Sequence, residues 1–230
     1  HHPSVYQANI PQPLMYSRAI DGFVDSFKGY TPVFLTATDI SSDKSSFVET
    51  LQHRLDSLSV DFEEIEFTGE MAEVAIGEQL DANGRYVFVP ASASREMLAR
   101  ILPALAGQRE RALVPDDVRL FGYPEWIILR GEQSLKLHQL NTLIYSRFAS
   151  DAESYPTRRL SSRYEEHFGS KMGNAVPVYG MLGFDAGCWM LGRGANYTGL
   201  QNSFTSGDVN TALYFINFAP DGTTNIRCAD

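Results

Sequence analysis

From Tyr30 to Phe121 the chain repeats one pattern: a short apolar run, a small polar break, then an apolar stripe at helical spacing. Thr31-Pro-Val-Phe-Leu-Thr-Ala-Thr38 is a nearly continuous apolar run, as expected of a strand covered on both faces of a parallel sheet. Ser41 to Asp43 offer N-cap chemistry, and Phe47, Val48, Leu51, Leu55 and Leu58 then fall on one helical stripe. Val60 to Phe67 alternates apolar and charged residues, which predicts an edge or half-exposed strand. Glu70 to Leu80 reads as a weaker helix, Asp81 to Gly84 as a turn, and Arg85 to Pro90 as a third strand. Ser92 and Ser94 open a helix with Met97, Leu98, Ile101 and Leu105 on its inner face, which Pro103 should kink or loosen. Asp117 to Gly122 and Leu140 to Arg147 complete five strands. Units of this length joined strand–helix–strand predict a parallel sheet with helices on both faces.

After Ser150 the pattern changes. A polar linker carries Pro156, and Arg158 to Phe168 is an amphipathic helix closed by Gly169. Met181 to Leu191 is a helix whose Gly183 and Gly187 suit close packing against a neighbour. Thr211 to Phe218 and Thr223 to Cys228 flank Pro220-Asp-Gly222, which predicts a β-hairpin. The two cysteines, Cys188 and Cys228, read either as small buried hydrophobes or as a disulfide pair.

Several function classes fit poorly. A formal net charge of -9 over 230 residues argues against nucleic acid, whose phosphates demand a basic face. No apolar run approaches the roughly 18–20 residues that span a bilayer, so a soluble chain is expected. The first residues lack the charged-then-apolar pattern of a secretory leader, and a processed exported chain would read the same. No Gly-x-Ser-x-Gly elbow, Gly-x-Gly-x-x-Gly loop or Walker loop is present, so no catalytic residue and no cofactor is assigned. His1, His2, His53, His138 and His167 lack ligand spacing and two cysteines make no zinc site, so no metal is assigned; His53 and His167 read as exposed helix positions. Glu63, Glu64 and Glu66 read as the solvated face of a strand.

Three segments carry a family resemblance. Val5 to Pro11, with the helix Leu14 to Phe27 and the strand at Thr31, resembles the first crossover between lobes in the type I periplasmic-binding proteins, the group containing the branched-chain amino-acid binders. Tyr164-Glu-Glu-His-Phe-Gly169 resembles the pattern after their second crossover, and Gly183-Phe-Asp-Ala186 their aromatic-Asp-Ala signature. Phe121-Gly-Tyr-Pro-Glu-Trp126 and Leu137 to Phe148 are similar to a subgroup of bacterial envelope proteins in which such a domain often follows LysM modules. The resemblance implies an α/β fold: a three-layer α/β/α Rossmann-like lobe with a parallel central sheet, a partial second lobe and a C-terminal β-hairpin. It divides the chain into 1–13 as a crossover or lobe-1 remnant, 14–148 as a complete lobe 2, and 149–230 as a crossover and the C-terminal part of lobe 1. Family members run well over 300 residues, so a truncated chain, or a homodimer covering the incomplete lobe, is expected.

In open parallel sheets ligands sit beyond the carboxyl ends of the strands, where loops and helix N-termini present free backbone groups. The candidates there are Thr38, Ser92, Ser94, Tyr123, Glu125, Trp126, Tyr145 and Arg147, beside Thr36 and Asp39; the resemblance adds Asp185 on the lobe-1 side or hinge. Plainer roles stand beside each. Ser41 and Ser94 suit N-caps, and Trp126 suits a core wedge with Glu125 solvated. Arg147 could simply face solvent, and Asp185 could cap its helix. The implied function is a non-catalytic solute-binding or sensor domain, periplasmic or otherwise in the bacterial envelope, closing two lobes on a small polar solute. Peptidoglycan association would come only through modules absent from this chain. The alternative is a structural or interaction module that keeps the fold without a pocket. A flavodoxin-like enzyme is disfavoured, because Thr38-Asp-Ile-Ser-Ser-Asp43 is acidic and has no glycine with which to cradle a phosphate.

Overall fold

The computed structural model describes residues 7–79, 84–112, 114–149, 151–173, 175–192, 196–204 and 209–229. Residues 1–6 and the turn residues 81–83 therefore lie outside the described residues. The chain forms two compact units: one from residues 1–18, 146–215 and 226–230, the other from residues 19–145 and 216–225. We call them the small and the large unit.

The large unit is built on strands β1 (Thr31–Ala37), β2 (Glu63–Phe67), β3 (Tyr86–Pro90), β4 (Val118–Gly122) and β5 (Thr142–Ser146), in the order β2-β1-β3-β4-β5. Each pairing among them is parallel, with Val33 opposite Glu63 and Phe88, and Phe121 opposite Leu143. All five runs point the same way, as the sequence predicts. Every residue of β3 and β5 is buried, the signature of strands covered by helices on both faces. Edge strand β2 buries only Ile65 and Phe67, and its glutamates shield the open edge. Pro32 is tolerated in an interior strand because the pairing of β1 with β2 begins only at Val33, so no ladder bond is lost.

The connections are α1 (Gln12–Ser26), α2 (Ser45–Ser57), α3 (Ala72–Gln79), α4 (Arg95–Arg111) and α5 (Glu132–Gln139), with a 3-10 turn over Pro124–Ile128. Phe47, Val48, Leu51 and Leu55 of α2 are buried, but Leu58 is the C-cap and is 40% exposed. Helix α4 runs unbroken through Pro103. Pro103 and Ala99, whose carbonyl loses its partner there, both lie on the exposed face, where water can satisfy it. Neither α5 nor the 3-10 turn is foreseen from sequence, because Glu132–Gln139 buries only Leu137 and so has no periodic stripe.

Strands β8 (Tyr214–Phe218) and β9 (Thr224–Cys228) extend the same sheet beyond β5; the C-terminal hairpin is thus part of the main sheet. In the large unit, Asn217 donates to Asn141 at 3.2 Å and His138 Nδ1 pairs with the Ala219 carbonyl at 2.8 Å. The end of β8 therefore lies beside the start of β5.

The small unit contains α6 (Tyr155–Phe168), α7 (Tyr179–Leu191) and the antiparallel pair β6 (Tyr197–Thr198) and β7 (Ser203–Phe204). Helix α6 ends at left-handed Gly169, as its sequence predicts. Trp189 of α7 stacks on Phe204 of β7 with ring centroids 4.7 Å apart. Gly183 and Gly187 of α7 do not pack as expected: a Cβ at either would meet nothing within 4 Å. No disulfide joins the cysteines, and with Cys188 half-buried and Cys228 exposed they are not a pair of core residues either.

Candidate functional site

The carboxyl ends of β1, β3 and β4 carry most of the candidate residues, and the structure sorts them into polar loop groups and aromatic core. Tyr123, just past β4, is fully buried, and its hydroxyl donates to the Pro90 carbonyl at 2.6 Å. Trp126 is also buried and donates from Nε1 to the Ala93 carbonyl at 3.0 Å. Tyr145 on β5 stacks against Phe47 at 5.2 Å and Phe121 at 6.0 Å. Tyr123 meets Phe47, Tyr145 and Trp126 edge-to-face, so one aromatic cluster fills the space beneath the strand ends. Burying rings of this size contributes about 1.5–3 kcal/mol each. Within the large unit these three residues are core, not the wall of an open mouth.

The polar groups lie above that cluster. Thr38 is exposed, and its hydroxyl pairs with Thr68 Oγ1 at the end of β2. Asp39 is bound by Arg100 at 2.7 Å, and that guanidinium also holds Glu96 at 2.9 Å. The Arg100 hydrogen bond holds the Asp39 carboxyl below the ordinary value of 3.8. Ser92 is buried and donates to Asp43 Oδ1 at 2.6 Å; the Ala93 N–H donates to the same oxygen at 3.0 Å. Burial pulls the Asp43 carboxyl upward, but Ser92, Ala93 and Lys44 together hold it below its ordinary value. Ser94 is the N-cap of α4, its Oγ accepting from the Met97 N–H at 3.1 Å. Its own N–H donates to Ser92 Oγ at 3.3 Å, so the two serines are brought together.

Glu125 is exposed, but it is not simply solvated. It accepts from Lys44 Nζ at 2.6 Å, and Lys44 also lies 3.3 Å from Asp43 Oδ2 and 5.4 Å from the centre of the Tyr123 ring. Burial works against the Lys44 charge, but Glu125 and Asp43 outweigh it and raise its pKa above 10.5. Asp43 and Lys44 are the site residues that sequence reasoning missed. Ser41 to Asp43 reads as cap chemistry for α2, yet the N-cap there is Lys44, which makes no side-chain cap bond. The Asp43 side chain instead crosses to the turn after β3. The available signal was an Asp-Lys pair just before α2, in the loop after one strand, with a Ser-x-Ser turn after the neighbouring parallel strand.

No family model matches the sequence, and no curated protein matches it either. Solved structures do match. An extracellular ligand-binding receptor from Verminephrobacter eiseniae superposes with a TM-score of 0.56 at 12% identity, over 97% of this chain and 68% of that one. An ABC transporter substrate-binding protein from Desulfitobacterium hafniense, in complex with Leu, gives 0.57 at 12% identity, over 95% of this chain and 66% of that one. An amino acid ABC transporter substrate-binding protein from Pseudomonas fluorescens gives 0.58 at 10% identity, over 100% of this chain and 67% of that one. The fold is that of the type I periplasmic-binding proteins. At such low identity the likeness is one of fold, and the chain spans about two thirds of those chains' own length.

The remaining two candidates lie in the small unit of this periplasmic-binding fold. Arg147 is half-buried, and its Nε sits 3.2 Å from Met15 Sδ. Asp185 is fully buried on α7 and does not cap that helix. Its Oδ1 accepts from the Tyr197 hydroxyl at 3.1 Å and the Leu200 N–H at 2.9 Å; its Oδ2 accepts from the Gln201 N–H at 2.6 Å and the Asn202 N–H at 3.0 Å. Those four donors fill the acceptor sites of a carboxylate. The arrangement pins the turn between β6 and β7 to the helix. It requires glycine at 199, where a Cβ would stand 2.2 Å from Asp185 Oδ1.

Among the described residues no group of three or more His, Cys, Asp or Glu side chains is placed to hold a metal ion. Nor is any helix among them long and apolar enough to cross a membrane.

Proposed function

We propose that this protein is a non-catalytic binding or sensor protein of the bacterial envelope, taking a small polar solute between two lobes. In this reading residues 14–148 form one lobe, and the linkers near Pro11, near Ala149 and after Leu191 absorb a hinge rotation on closure. The observation that carries the proposal is the likeness of fold, over nearly the whole chain, to substrate-binding proteins and ligand-binding receptors, one of them holding Leu. The large unit adds a parallel sheet whose carboxyl ends present hydroxyls and charged groups: Thr38, Ser94 and Glu125 are the candidates that are not fully buried. They are the groups in this unit we assign to ligand contact. Ser92 supports them from behind through Asp43.

Thermal denaturation in the presence of single amino acids, sugars and nucleosides tests the proposal. A saturable rise in melting temperature with one class is the expected result, since a ligand bound only by the folded form stabilises it by mass action. Uniformly absent shifts, together with absent heats of binding by calorimetry, would overturn it.

One observation favours a second reading, a structural or interaction module that keeps the fold without a pocket. Tyr123 and Trp126 fill the space beneath the strand ends, and Lys44, Arg100, Asp39 and Glu125 are paired with one another instead of standing open.

A further inference from the structure

Three loops leave the carboxyl ends of β1, β3 and β4, and two adjacent residues of the first reach both of the others. Asp43 Oδ1 accepts from the Ser92 hydroxyl and the Ala93 N–H in the turn after β3. The Lys44 N–H donates to the Ala91 carbonyl in that same turn at 3.0 Å, while its ammonium holds Glu125 in the 3-10 turn after β4. We propose that Asp43 and Lys44 form a strap that fixes these three loops in one arrangement, and that cutting it at Asp43 opens the β3–α4 turn while the lobe stays folded.

The chemistry makes Asp43 the weak point of the turn. A single carboxylate oxygen serves both a buried hydroxyl and a backbone N–H, and bonds to a charged acceptor are stronger than bonds to a neutral one. Without that charge, Ser92 Oγ and the Ala93 N–H are left in a buried turn with a weaker acceptor. The core beneath does not depend on the strap. Tyr123 and Trp126 hold to backbone carbonyls of Pro90 and Ala93, and the parallel ladder is formed by the strands themselves. Lys44 is the second joint. A solute that takes either Lys44 or Glu125 as its partner must first separate the two, so binding at the strand ends and release of the strap are coupled. That coupling rests on the solute-binding reading; the strap itself does not.

Amide hydrogen exchange on the whole chain without added ligand tests the strap alone. Asp43→Asn keeps the shape and removes the charge. The expected result is roughly tenfold faster exchange at Ala93, from the weakened acceptor, with Leu35 and Val87 to Val89 unchanged. Ser92→Ala leaves the Ala93 bond in place and should give a smaller acceleration at the same turn. Lys44→Met should speed exchange in the 124–128 turn and leave Ala93 nearly as in the parent. Unchanged Ala93 exchange in Asp43→Asn would overturn the strap, and so would an equal acceleration of the core amides in both Asp43→Asn and Ser92→Ala. Absence of ligand-induced thermal shifts would weaken the solute reading and leave this result standing.

Discussion

The indole of Trp126 lies across the α-carbon of Gly122, so close that a Cβ on residue 122 would stand 1.9 Å from the ring. The strand β4 ends where that ring turns back over it. A side chain at 122 would have to displace a fully buried tryptophan anchored to the Ala93 carbonyl. Gly122→Ala should therefore cost about 2–3 kcal/mol, the upper range of overpacking a core. Urea denaturation read by tryptophan fluorescence measures it, and a midpoint equal to the parent's would refute the close approach.

The Asp185 clamp makes a second expectation. Asp185→Asn replaces one of the two accepting oxygens by an NH2; turned toward the Tyr197 hydroxyl, which can accept, it leaves the Leu200 N–H without its partner. The expected destabilisation is about 2–3 kcal/mol. The turn between β6 and β7 should also show faster amide exchange than the rest of the small unit. Gly199→Ala should act on the same turn, because its Cβ would press on the carboxylate.

Acid should weaken the large unit through the carboxylates at its strand ends. Arg100 lowers Asp39, and Ser92, Ala93 and Lys44 lower Asp43 against the pull of burial. A carboxyl whose folded pKa lies below its unfolded value contributes stability that is complete above the unfolded value and disappears as pH falls through the folded one. The denaturation midpoint should accordingly stay flat from about pH 7 to 5 and fall below about pH 4, where unfolded Asp takes up protons first. Asp43→Asn should flatten the fall. A midpoint independent of pH down to 2.5 would contradict this.

At the alkaline end, Tyr197 and Tyr214 are held above the ordinary tyrosine value of 10.0: burial acts first on both, followed by Asp185 at Tyr197 and by Cys228, then Asp185, at Tyr214. Their neutral forms are favoured in the folded protein, so the stability they contribute is complete below the unfolded value and is lost as pH rises past it. Phenolate absorbance should show tyrosines titrating above the ordinary range, and Tyr197→Phe should remove one of them.

Much of the large unit is legible in the sequence because its signals are strong. Val33 to Leu35, Val87 to Val89 and Leu143 to Tyr145 are uninterrupted apolar runs, and Phe47, Val48, Leu51 and Leu55 repeat at helical spacing, so burial alone identifies them. The strand ends were legible in place, but not the bonds that join them. Sequence order puts Ser92 and Glu125 at strand ends, yet the residues that join them, Asp43 and Lys44, look like an ordinary helix start. Tyr123 and Trp126 look like lining because an aromatic after a strand suits either a pocket or a core. Only the bonds to Pro90 and Ala93 decide it. In the small unit, Asp185 reads as a cap because nothing in its neighbours announces that four donors from residues 197–202 will converge on it. Such long-range hydrogen bonding leaves no periodic trace.

The small unit is assembled from residues 1–18, 146–215 and 226–230, and the large one from 19–145 and 216–225. Neither can be excised as an unbroken stretch of gene. Cloning residues 19–145 alone would produce a sheet whose last parallel strand has lost β8 as its neighbour, and would leave the Arg119 guanidinium without Asn217 Oδ1, its acceptor at 3.1 Å. Any dissection of this protein therefore has to rejoin distant segments with a linker.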